Sequence, residues 1–191
     1  MEILRGGSRS RGCINRLRVI ALLGAVLVSA APAEIDEYQV KAAFLYNFAR
    51  FVEWPVTSFS GPHDPIVICI LGQNPFGESL SEAIRGKEFG GRPFAVRLLS
   101  DLAPKLRCQI LFVNSAATKL FRPAAGNLKV NAILTVGETP GFTEDGGVIN
   151  FKLDSGRIHF EINLEAAEQA HLNISSKLLS LAQIVKTRRA P

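Results

Sequence analysis

Ile66-Val67-Ile68-Cys69-Ile70-Leu71 is a run of six apolar residues, most of them β-branched, with no polar side chain to mark a wet face. Successive side chains of a strand point to opposite faces. A run of this kind is therefore a strand covered on both sides, the pattern of a parallel sheet. Cys108 to Val113 and Ala132 to Val136, apolar apart from Gln109 and Thr135, also read as buried strands. Gly72-Gln73-Asn74-Pro75 breaks the first run, and Phe76 to Ile84 then reads as a short helix. Gly86, Gly90 and Gly91 make a flexible connection before Pro93 and a strand at Phe94 to Leu98. Ser115 to Ala125 reads as a second crossover helix, and strand–helix–strand units at this spacing build a parallel sheet through right-handed crossovers.

The flanks complete the layers. Asp36 is placed to cap a helix in which Val40, Ala43, Phe44, Asn47, Phe48 and Phe51 recur at helical spacing, and Pro55 stops it near Trp54. Residues 57–65, with two prolines, Gly61 and Asp64, read as a loop. Val148 to Leu153 and Arg157 to Asn163 alternate in polarity and are joined by Asp154-Ser155-Gly156, which predicts an antiparallel hairpin closed by a three-residue loop. From Asn173 to Val185, Ile174, Leu178, Leu181 and Ile184 or Val185 fall on one helical stripe, so a closing helix is expected. The expected fold is α/β: a single three-layer domain with a mixed, mostly parallel central sheet, helices on both faces, a C-terminal antiparallel hairpin and a closing helix.

Residues 1–33 read differently. Arg5, Arg9, Arg11, Arg16 and Arg18 precede the apolar run Val19 to Val28, which leads into the small residues Ser29-Ala30-Ala31-Pro32-Ala33. That order is a secretory signal peptide, expected to be cleaved after Ala31 or Ala33, with residues 34–191 as the α/β domain. The apolar run is about half the roughly 20 residues a membrane span needs, so the product is not expected to span a membrane. The five arginines and Glu2 leave with the leader, and 22 basic and 17 acidic residues become 17 and 16. The basic balance thus belongs to export, and the short tail Lys186, Arg188 and Arg189 is too small to hold a nucleic acid.

Reactive constellations are missing from the sequence. It has no G-x-S-x-G elbow, H-E-x-x-H, C-x-x-C, G-x-G-x-x-G after the first strand, or Walker loop. His63, His159 and His171 are far apart and not at ligand spacing with carboxylates. The expectation is a protein that binds and senses, with no catalytic residue, metal or cofactor. Cys69 and Cys108 both fall in expected strands and either form one bridge in an oxidising compartment or serve as small buried thiols. Arg157, His159, Glu161 and Asn163 share one face of the second hairpin strand. That row is a candidate ligand-binding floor, against the plainer reading of a solvated face. Tyr46 and Trp54 fall outside the apolar stripe of the first helix and are candidate anchors for a protein partner, against ordinary packing.

Tyr38-Gln39-Val40-Lys41-Ala42-Ala43-Phe44-Leu45-Tyr46-Asn47-Phe48, followed by Phe51-Val52-Glu53-Trp54-Pro55, resembles the opening motif of the YfiR-like periplasmic proteins. Ile68 to Gly72, Cys108 to Val113, Leu134 to Glu138, Gly146 to Phe151, Phe160 to Asn163 and Leu178-Leu179 continue the resemblance in order, over about residues 36 to 185. The resemblance implies a periplasmic repressor that binds the periplasmic portion of an inner-membrane diguanylate cyclase, holds it inactive and so lowers cyclic di-GMP and biofilm growth. It also implies sequestration by an outer-membrane lipoprotein and a homodimer. Cys69 and Cys108 coincide with a family cysteine pair, whereas Thr143 and Asn150 stand in the segment where some members carry a second pair. The alternative is a periplasmic small-molecule-binding sensor that feeds a histidine kinase or a transporter.

Overall fold

The computed structural model describes residues 36–103 and 105–186. The leader at residues 1–33 and the tail residues Arg188 and Arg189 lie outside them. Helix α1 (Glu37–Phe51) begins where Asp36 accepts a hydrogen bond from the Tyr38 amide at 3.2 Å, and it buries Ala42, Leu45, Phe48 and Ala49. It ends at Phe51, before Trp54, because Val52-Glu53 becomes the short strand β1 and pairs with Asn173-Ile174.

Strand β2 (Ile66–Leu71) is buried along nearly its whole length, as its composition requires. Helix α2 (Ser79–Ile84) follows. The glycine-rich connection then forms a tight hairpin between β3 (Glu88–Phe89) and the start of β4 (Arg92–Leu99). Gly90 and Gly91 both take positive φ in that turn. Strand β5 (Ile110–Val113) starts two residues after Cys108, so that cysteine lies in the approach to a strand and not inside one. Helix α3 (Thr118–Val130) runs past the expected end at Ala125 and carries Pro123 within it. It leads to β6 (Leu134–Gly137). The expected antiparallel hairpin is present as β7 (Ile149–Asp154) and β8 (Arg157–Asn163). Its loop has two residues, not three: Asp154 pairs with Arg157, and Ser155 and Gly156 both adopt positive φ, as a type I′ turn requires.

The closing helix expected over Asn173 to Val185 is not formed. Asn163 instead caps α4 (Leu164–Gln169), its side chain accepting from the Ala166 amide. The chain then makes β9 (Asn173–Ile174), α5 (Ser176–Leu179) and β10 (Gln183–Val185). Ser175 accepts from the Lys177 amide and so acts as a cap, the position serine prefers to a helix interior. Ile174 pairs with Val52, while β-branched Ile184 and Val185 pair with β8. The helical spacing of the apolar residues was coincidental, and Leu181 is left 70% exposed.

Among the described residues the main sheet is one open layer of eight strands, in the order β10-β8-β7-β6-β5-β2-β4-β3. Contacts from β6 through β4 are parallel, as are β6–β7 and β8–β10. β2 crosses to one neighbour through α2, whereas β5 crosses the opposite way through α3. Right-handed crossovers in opposite directions put their helices on opposite faces. The two cores agree. Ile66, Ile68, Ile70, Ile110 and Phe112 pack with α1 and α2, while Cys69, Leu71, Leu111 and Val113 pack with Phe121, Ala125 and Leu128 of α3. The result is the three-layer α/β fold read from the sequence.

Candidate functional site

The carboxyl ends of the parallel strands meet at the reversal of strand order between β2 and β5, the place where open α/β sheets ordinarily bind ligands. Here that edge is closed by side chains. Lys41 of α1 is 3% exposed, and its ammonium donates to Glu138 Oε2 at 2.7 Å and also pairs with Glu37. Glu138, just past β6, further accepts from the Tyr38 hydroxyl at 3.3 Å and from the Ser115 amide at 3.3 Å. Burial alone pushes the Lys41 pKa down, but the hydrogen bonds to Glu138 and Glu37 outweigh it and hold the ammonium above its ordinary value of 10.5. Burial, followed by the Glu138 charge, raises the Tyr38 phenol above 10.0. The cluster fastens the start of α1 over the switch point. Its members satisfy one another, which is the behaviour of a structural clasp.

Cys69 and Cys108 are joined in a disulfide with Cα atoms 5.9 Å apart. Parallel neighbours in register would separate the two cysteines along the sheet, so the position of Cys108 ahead of β5 is what makes the link reachable. Thr143 and Asn150 are both 1% exposed, and Thr143 Oγ1 and Asn150 Oδ1 lack a hydrogen-bond partner.

The hairpin row is not brought together as one site. Arg157 and His159 are exposed near the turn, whereas Glu161 and Asn163 are buried. Glu161 accepts from Asn150 Nδ2 at 3.5 Å and faces Lys152 Nζ at 3.8 Å. Asn163 donates to the Thr143 carbonyl at 2.8 Å besides capping α4. Tyr46 and Trp54 are half-buried and already engaged within the chain. Tyr46 packs on Phe94, with ring centroids 5.3 Å apart and the Lys87 ammonium 4.3 Å from its ring, and the Trp54 indole donates to the Gln109 carbonyl at 3.1 Å.

Sequence reasoning missed the apolar surface at the β10 end of the sheet. Ile184 is 48% exposed and Leu181 70%. Ile184 lies beside Ile162 of β8. β8 covers one edge of β10, and no strand among the described residues covers the other. The signal was present in the sequence, but a closing helix would have turned these same residues inward. Among the described residues no three His, Cys, Asp or Glu side chains gather in a metal-binding group, and no helix is long and apolar enough to cross a membrane.

Comparison with known proteins adds a lineage to this geometry. A protein-family model described as YfiR/HmsC-like matches residues 38–183. The crystal structure of a conserved domain protein from Vibrio cholerae O1 biovar El Tor strain N16961 is similar with a TM-score of 0.50 at 12% sequence identity. The similarity covers 78% of this chain but only 60% of that one, and it shows a shared fold. No curated protein matches.

Proposed function

The chain belongs to the YfiR/HmsC-like family, and from that membership we propose that it restrains an inner-membrane diguanylate cyclase by binding the cyclase's periplasmic portion. The family is one of periplasmic regulatory domains and not of enzymes. The reading further takes residues 1–33 as a cleaved export signal, and a homodimer as the acting form. It includes an outer-membrane lipoprotein that competes for the protein and releases the cyclase.

The observation that carries this reading is the uncovered apolar end of the sheet, Leu181 and Ile184 at the open edge of β10. Apolar side chains clustered at an unpaired strand edge are the kind of surface a partner covers. The mechanism is mass action. A periplasmic protein lowers cyclase activity by binding the inactive conformation more tightly than the active one, and the shift equals that difference in affinity.

Capture from solubilised membranes tests the proposal. The tagged protein is expected to retain the cyclase, and Leu181→Asp with Ile184→Asp is expected to abolish retention while the circular dichroism spectrum stays unchanged. Deleting the gene is expected to raise cyclic di-GMP. Failure to capture a cyclase, together with unchanged cyclic di-GMP on deletion, would overturn the reading.

A further inference from the structure

At the amino-terminal end of the parallel strands, opposite the closed switch point, lies a cleft of about 470 Å³. That volume is within the range of small-molecule sites, about 300–1,000 Å³. Its walls include Arg97 of β4, Lys105 and Arg107 of the segment leading to β5, Cys108, Gln109 and Ser58. We propose that this cleft binds a small organic anion bearing a phosphate or clustered carboxylates. The proposal does not depend on the cyclase reading, because it concerns the other end of the strands and a different class of ligand.

Three observations support it. First, the charge is one-sided. Among the described residues none of Arg97, Lys105 and Arg107 is ion-paired. The one acidic lining residue, Asp64, already accepts from the Ser60 and Gly61 amides at 2.7 and 2.9 Å. Second, the disulfide limits how far apart the backbones that carry the cations can move. Strand register sets Arg97 beside Cys69, and Cys69 is bonded to Cys108, so the segment carrying Lys105 and Arg107 is tied to β2, the strand that pairs with Arg97's β4. The guanidinium groups of Arg97 and Arg107 suit the forked oxygens of phosphate and carboxylate. Third, the backbone of the wall beside the cations is braced by a buried side chain. Gln109 holds the neighbouring backbone in place, its Nε2 donating to the Ser58 carbonyl at 2.9 Å and its Oε1 accepting from the Val67 amide at 2.8 Å.

Isothermal titration with inorganic pyrophosphate and with citrate, at fixed ionic strength, provides the test. Saturable binding of one probe is expected, and the preferred probe separates a phosphoryl ligand from a polycarboxylate. Arg97→Gln, Lys105→Gln and Arg107→Gln together are expected to weaken that binding at least tenfold. The equally charge-depleted variant Arg85→Gln, Lys119→Gln, Lys177→Gln is expected to leave it within twofold. All six side chains are exposed, so both variants should fold. The proposal is overturned if neither probe saturates the wild-type protein, or if the two variants weaken binding equally, which would mean general charge attraction.

Discussion

Lys41 and Glu138 meet across 97 residues of sequence, both with side chains less than a tenth exposed. Breaking such a pair from one side leaves a buried charge, a loss of about 3–5 kcal/mol, whereas replacing both partners with apolar groups is often close to neutral. Lys41→Met is therefore expected to lower unfolding free energy by about 3 kcal/mol in urea titrations, and Lys41→Met with Glu138→Leu to recover most of the loss. A pH dependence accompanies it. The folded protein holds the Lys41 proton more tightly than the unfolded chain does, so this stabilisation is complete below the ordinary pKa of 10.5 and is lost as pH rises through the higher folded value. The raised Tyr38 value acts in the same direction. Melting temperature should fall steeply above about pH 10 in the wild type and less steeply in Lys41→Met. A second residue-scale device lies on the opposite face, where Phe142 stacks on Phe121 at 4.4 Å and rests against the backbones of Gly137 and Gly147. A Cβ on either glycine would overlap the Phe142 ring. Gly147→Ala should cost about 1–3 kcal/mol, and Phe142→Leu in the same chain should return part of it, as a double-mutant cycle would show.

At the scale of elements, the central strands were legible because burial on both faces leaves no other reading for Ile66 to Leu71, Ile110 to Val113 or Leu134 to Val136. The hairpin was legible from alternation and from Gly156. Where a segment is short, the same apolar spacing serves two structures. Leu178, Leu181 and Ile184 fit a helical stripe, yet Ser175 caps a helix of only four residues and Gln183 to Val185 pairs with β8. Helix α4 escaped notice because its length gives no periodicity to read, although its Asn163 cap is a local signal. Site residues were less legible still. Neither the Lys41 clasp nor the basic cleft has a local motif, since each is assembled by topology from separate elements. The disulfide is the exception, because both cysteines were visible and only their geometry was missing. It closes a sequence separation of 39, which on the chain-entropy model is worth about 4 kcal/mol. Cys69→Ala with Cys108→Ala should lose about that much in denaturant unfolding, and reductant should bring the wild type close to the double variant. Loss of less than 1 kcal/mol would mean that the β5 approach is held by its other contacts, notably the Gln109 bonds to Val67 and Ser58.

For the whole molecule, stability is distributed along the sheet in a way that bears on how it engages a partner. β2, β5 and β6 lie in the middle of the sheet, almost fully buried between two helical layers, and the disulfide ties the first two together. β10 has three residues, one neighbouring strand among the described residues, and a preceding helix of a single turn. Backbone groups with little apolar cover and one paired edge open at far lower free energy than central strands, which open only with the whole fold. Amide hydrogen exchange should therefore show Ile68, Ile70, Leu111, Phe112 and Val136 protected to the global limit, with Gln183 to Val185 exchanging orders of magnitude faster. A low-stability edge with exposed Leu181 and Ile184 can be ordered by a partner that extends the sheet or covers the apolar side chains. Adding the periplasmic portion of the cyclase should then slow exchange across residues 181–185 and leave the central strands unchanged. Protection appearing instead at Tyr46 and along α1 would move the partner surface to the helical face and set aside the β10 edge as the contact.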